Sequence, residues 1–204
     1  MKKVLCFGDS NTFGFNPKNG LRFPKDIRWT GVLQGLCKDK FQILEAGCNN
    51  RTCFRNNPEG KIYTGHQILP EYLQESPDIV ILALGSNDLQ RQYRTTLEEI
   101  EYGLEGLIKT VRETLPESRI IILSPTPIGQ EVLKAKIFSF LFDETSVEKS
   151  KYFAEIYARV ALKNVCEFID LTPIAPVSKI DGLHYEAEGH REIANAVLQV
   201  LKTL

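Results

Sequence analysis

Short continuous apolar runs, at 3–7, 41–46, 78–84, 119–123 and 165–171, alternate along this chain with longer segments in which apolar residues recur at helical spacing. A run that is apolar at every position suits a strand covered on both faces. Alternation of such runs with helical segments marks a parallel sheet held between two layers of helices. Between the third and fourth runs, Leu97, Ile100, Leu104, Leu107, Ile108, Val111 and Leu115 share one helical face, and Pro116 ends the segment. From Glu188 onward, Ile193, Val197, Val200, Leu201 and Leu204 repeat the device. The pattern predicts an α/β fold of three layers, α/β/α, around five parallel strands.

Two stretches break the alternation: 16–26, rich in Pro, Gly and charge, and 125–149, which carries the apolar cluster 137–142. Long excursions after strand ends commonly line ligand clefts, so both are expected to form substrate walls or a lid. If the 137–142 cluster is not a wall, it is a candidate subunit contact, and the oligomeric state stays open. No repeat, low-complexity tract or Gly/Ser linker divides the chain, and 1–204 reads as a single domain.

Composition narrows the function classes. A 204-residue domain withdraws roughly 70% of its unfolded surface from water, so one core suffices. Lys and Arg total 25 against 26 for Asp and Glu, a balance that predicts no nucleic-acid partner. Met1-Lys2-Lys3 precedes only the apolar residues 4–7, too few for a signal peptide or a membrane helix, so a cytoplasmic protein with no membrane partner is expected. Cys6, Cys37, Cys48, Cys53 and Cys166 are odd in number and include no C-x-x-C pair, and they are read as free thiols. No metal-ligand cluster is evident, and no cofactor is expected.

Ligands of an open parallel sheet bind beyond the carboxyl ends of its strands, which directs attention to the residues after each run. The first run ends in Gly8-Asp9-Ser10-Asn11. Ser10 would stand at the strand-to-helix turn with its hydroxyl toward the cleft, although Asp or Ser there also serves as an ordinary helix cap. The third run ends in Gly85-Ser86-Asn87-Asp88, where the Asn87 amide offers an N–H to developing negative charge, or simply belongs to a turn. After the fifth run comes Asp181-Gly182-Leu183-His184. A spacing of three lets the carboxylate fold onto one ring nitrogen while the other faces outward. The other histidines, His66 and His190, read as surface or capping residues. Nucleophile, amide donor and acid-histidine pair all fall where one cleft would gather them.

Along essentially the whole chain these blocks resemble those of the SGNH hydrolases, also called the GDSL esterase/lipase family. Gly8-Asp9-Ser10-Asn11 is similar to the first block, with Asn for the usual Leu; Gly85-Ser86-Asn87-Asp88 and Asp181-Gly182-Leu183-His184 match two others. The resemblance implies a flavodoxin-like sheet and a catalytic triad of Ser10, His184 and Asp181. It further implies an oxyanion hole from the Ser10 N–H, the Asn87 side chain and one more backbone N–H. That last donor is normally a glycine after the second strand, and here Asn50 takes its place, with Gly47 the competitor if the loop is shifted. A backbone N–H donates from any residue but proline, while the Asn50 side chain would project toward the cleft.

Within the family, 14–29 with Arg28-Trp29, Arg51-Thr52, and the ending from His184 to His190 look most like small intracellular arylesterase and acyltransferase members. The expected reaction is hydrolysis of small-molecule carboxylic esters with short acyl chains through an acyl-enzyme, with Phe13 and Leu183 as apolar neighbours of the acyl group. Sugar deacetylation, thioester hydrolysis and acyl transfer would use the same triad. A hydrolase blocked by Asn50 and a non-catalytic receiver-like module are the rivals. The latter expects paired acids after the first strand and a lysine after the fifth, neither of which is present.

Overall fold

The computed structural model describes residues 1–204. Its sheet contains β1 (Lys2–Gly8), β2 (Phe41–Gly47), β3 (Ile79–Ala83), β4 (Arg119–Ser124) and β5 (Glu167–Asp170). All pair in parallel, in the order β2-β1-β3-β4-β5. This is the flavodoxin-like arrangement, in which the strand order reverses beside β1 and opens a crevice above its carboxyl end.

Alternate residues of the central strands feed two separate cores. Leu5, Phe7, Val80, Leu82, Ile120 and Ile122 pack beneath α3 (Gly65–Leu73), α4 (Leu97–Thr114) and α6 (Phe153–Lys163). Val4, Cys6, Ile79, Ile81, Ile121 and Leu123 pack beneath α2 (Trp29–Cys37) and α7 (Ala187–Leu201) on the opposite face. Burial on both faces explains why these strands are apolar at every position. α4 starts from a capping box in which Thr96 and Glu99 satisfy each other's backbone N–H.

One expected strand is shorter than its apolar run. Val165 takes φ 52 and is 84% exposed. The Cys166 N–H still bonds back to Ala161 at the end of α6, so the chain turns there and β5 begins only at Glu167. The excursion at 125–149 contains two 3₁₀ turns, Gln130–Leu133 and Phe138–Phe140, and the start of α5 (Glu144–Ser150). Its apolar cluster divides: Phe142 is buried and Phe138 half-buried, while Ile137 and Phe140 face solvent. No helix is long and apolar enough to cross a membrane.

Candidate active site

After β1 the chain stays extended through Asp9, whose carboxyl oxygen accepts the Asn11 N–H at 2.9 Å and caps the one-turn helix α1 (Ser10–Phe13). Gly14, at φ 88, ends that turn. The cap is thus made by Asp9, and the Ser10 hydroxyl is left to side-chain chemistry. Its Oγ lies 2.9 Å from His184 Nε2, and His184 Nδ1 lies 2.7 Å from Asp181 Oδ2. The other carboxylate oxygen of Asp181 accepts the Leu183 and His184 N–H groups, each at 3.0 Å. A carboxylate only accepts, so Nδ1 carries the proton and Nε2 presents its lone pair to Ser10. Burial alone would raise the Asp181 carboxyl, but the His184 ring and the two N–H bonds outweigh it and hold the group below its ordinary range.

The imidazole is walled by aromatics. Phe15 lies 4.2 Å from its centroid and Phe138 5.1 Å, the two phenyl rings themselves 6.0 Å apart. Sequence periodicity gave no sign of this pair, because Phe15 precedes one excursion and Phe138 sits inside the other. Lys18 and Asn19 from the first excursion and Lys134 and Ile137 from the second line a cleft of about 480 Å³ that reaches Phe15, Phe138 and Asp181. Phe13 lies half-buried beneath the Arg22 guanidinium, 4.6 Å from its centroid. Leu183 is buried in the core on the α3, α4 and α6 side.

The residues expected to supply oxyanion donors are bonded to one another through the loops after β2 and β3. Asn87 Nδ2 donates to the Arg51 carbonyl at 3.0 Å, which uses one of its two N–H groups. Asn50 adopts φ 59, a left-handed conformation that Asn tolerates well. Its side chain is tied sideways, accepting from Gln90 Nε2 at 2.8 Å and donating to Glu59 at 2.9 Å. Gly47 sits where a Cβ would lie 2.1 Å from the Phe13 backbone nitrogen, so its bareness lets α1 rest against the end of β2.

Two buried charged residues that the sequence reading left without a role secure this loop. Arg51 is fully buried and donates to the carbonyls of Gly8, Ala46 and Ile62, with its guanidinium over the Phe7 and Tyr72 rings. Asp88 accepts three successive backbone N–H groups, from Cys53, Phe54 and Arg55. Burial nevertheless pushes its carboxyl up to about 6, and that of Asp9 up to about 7.

His190 is not at the surface. It is fully buried, and its Nδ1 accepts the Trp29 N–H at 3.3 Å, satisfying an otherwise orphaned donor of the first turn of α2. Burial, and secondarily the neighbouring His184, lowers it to about 4, so it stays neutral. Beside it Arg28 grips Glu45 with two bonds of 2.9 and 2.7 Å, and Thr30 adds a third at 2.7 Å. The Arg28-Trp29 pair and the His184 to His190 ending therefore meet in one scaffold. Cys53 is buried and its thiol raised well above the ordinary value by burial; burial also raises Cys48, whose Sγ–H donates to the Asn49 carbonyl.

The model of the GDSL-like lipase/acylhydrolase family matches residues 6–192. An inhibitor-bound aryl esterase of M. smegmatis is 28% identical, with a TM-score of 0.92 and full coverage of both chains. Est24, a carbohydrate acetylesterase from Sinorhizobium meliloti, is also 28% identical, with a TM-score of 0.93 over 100% of this chain and 99% of that one. An acetylxylan esterase of Xylanibacter ruminicola is 23% identical over 98% of this chain but only 43% of its own length. A GDSL esterase/lipase of Oryza sativa subsp. japonica is 21% identical over 67% of this chain and 58% of its own. The chain spans about half the length of these two curated relatives.

Proposed function

The chain belongs to the GDSL-like lipase/acylhydrolase family, and from that premise we propose that it is a serine esterase cleaving carboxylic esters of small molecules, with short acyl groups. Ser10 attacks the ester carbonyl while His184 Nε2 takes its proton, and Asp181 holds the ring and balances the imidazolium. The Ser10 N–H, the Asn50 N–H and the second N–H of Asn87 receive the oxyanion. His184 then protonates the departing alcohol, and water attacks the acyl-enzyme with the same residue as base.

The observation that carries this reading is the unbroken chain from Ser10 Oγ through His184 to Asp181, at 2.9 and 2.7 Å. Its test is steady-state hydrolysis of p-nitrophenyl esters from acetate to octanoate by the wild type and by Ser10→Ala, each checked for folding. Activity that vanishes in Ser10→Ala and declines with acyl length is the expected result. Equal background rates from both proteins would remove the reading.

A second reading, removal of acetyl groups from carbohydrates, uses the same residues. It is favoured by the likeness to Est24 and to the acetylxylan esterase, and release of acetate from acetylated xylo-oligosaccharides separates it from aryl-ester hydrolysis. Five unbridged cysteines fit a reducing compartment, and we place the protein in the cytoplasm.

A further inference from the structure

The amide of Gln90 takes no part in the proposed acyl transfer, yet it bonds the side chains of Asn50 and Asn87, the residues that supply two of the three donors. Gln90 is 1% exposed, and its single Nε2 lies 2.8 Å from Asn50 Oδ1 and 3.1 Å from Asn87 Oδ1. An amide nitrogen has two N–H groups, and here each meets one acceptor. The orientation of all three amides is forced from outside. Glu59 only accepts, which turns the Asn50 nitrogen toward it and the Asn50 oxygen toward Gln90. The Arg51 carbonyl only accepts, which turns the Asn87 nitrogen toward it and the Asn87 oxygen toward Gln90. Gln92 donates to the remaining oxygen of Gln90 at 3.2 Å. Any other orientation would set oxygen against oxygen or nitrogen against nitrogen.

We propose that Gln90 is a positioning residue for the oxyanion hole, locking Asn50 and Asn87 in one relative placement so that their free N–H groups converge. The Asn50 side chain, which stands where the family pattern has glycine, is then a latch for Gln90 rather than an obstruction. The inference rests on the esterase reading for its chemistry, but it is testable by binding alone.

The readouts are turnover of p-nitrophenyl acetate and calorimetric affinity for phenylboronic acid. In that adduct a bond forms between Ser10 Oγ and boron, the serine proton passes to His184, and the anionic tetrahedral boron group faces the donors. Removing one donor outright typically costs 10²–10³ in turnover, so loosening two should cost Gln90→Leu about 30-fold in kcat with KM within about twofold. Boronate affinity should weaken by the same factor. Gln90→Glu keeps the shape but puts an oxygen where the nitrogen donated, and it is the second variant should Gln90→Leu not fold. Asn50→Gly removes the latch alone, at a φ that glycine accepts readily, and should lower kcat about tenfold.

A folded Gln90→Leu or Gln90→Glu with wild-type kcat and boronate affinity would overturn the inference, as would an Asn50→Gly as active as the wild type or more so. If the wild type hydrolyses no ester yet binds boronate in a manner lost in Ser10→Ala and weakened by Gln90→Leu, the inference stands and the esterase reading fails. If it binds no boronate, the inference fails too.

Discussion

Asn11 accepts the Tyr185 backbone N–H at 3.2 Å, while its Nδ2 donates to the Leu183 carbonyl at 3.2 Å, so one side chain holds the peptide groups on both sides of His184. The residue beside Ser10 thus fixes the segment that carries His184, through bonds to residues 172 and 174 positions further along the chain. A leucine at this position, the usual residue of the family's first block, could make neither bond.

Asn11→Leu should therefore leave the fold intact but loosen the Ser10 to His184 distance. Misplacement of a reacting group by about 1 Å can cost about 10² in rate, and we expect a fall in kcat of about that size with KM little altered. Steady-state kinetics on p-nitrophenyl acetate measure it. A variant as fast as the wild type would show that the segment from Asp181 to His184 is held by its own bonds alone.

Asp9 should make the fold less stable as the medium becomes more alkaline. Desolvation, assisted by the nearby Asp88, moves its carboxyl from 3.8 to about 7, against the opposing Asn11 N–H and Arg51. Between those values the folded chain keeps a proton that the unfolded chain has lost. Stability attributable to Asp9 accordingly falls by about 1.4 kcal/mol per pH unit from about pH 4 to about pH 7 and is level above. Asp9→Asn keeps a capping oxygen for the Asn11 N–H and removes the titration. Urea unfolding at pH 5, 6, 7 and 8 should show the variant gaining on the wild type up to pH 7; a constant difference would refute the buried, protonated acid.

His190 should work in the opposite direction. Its lowering from 6.5 to about 4 means that the unfolded chain takes up a proton first as the pH drops. Stability is complete above about pH 6.5 and is lost toward pH 4, by up to about 3 kcal/mol. His190→Gln offers the Trp29 N–H an uncharged acceptor and should flatten the acid limb of the stability curve. Parallel acid limbs in the two proteins would mean that other groups govern acid unfolding.

What was legible in the sequence follows from range. The central strands announced themselves because both faces of β1, β3 and β4 are buried, and the acid-histidine spacing announced itself because Asp181 and His184 lie within one turn of chain. β5 was overread because Val165 is apolar yet sits exposed in a turn. The Phe138 wall, the Gln90 bridge and the cap that His190 places on Trp29 join residues brought together only by tertiary folding. For His190 the sequence offers the surface or a cap, and the structure shows the cap: buried and neutral, its Nδ1 accepts the Trp29 N–H.

Gly47 tests how tightly the turn that carries Ser10 is seated. A Cβ there would lie 2.1 Å from the Phe13 nitrogen and 2.4 Å from the Thr12 carbonyl carbon, and both are backbone atoms that cannot swing aside. Gly47→Ala must therefore push α1 away from β2, an overpacking expected to cost about 3 kcal/mol. Because α1 carries Ser10 while His184 is held by Asp181 as well as by Asn11, the displacement should also reduce kcat in the fraction that folds, counted by fluorophosphonate labelling of the serine. Loss of stability with full turnover per labelled site would instead mean that α1 and the His184 segment shift together, with Asn11 as the link between them.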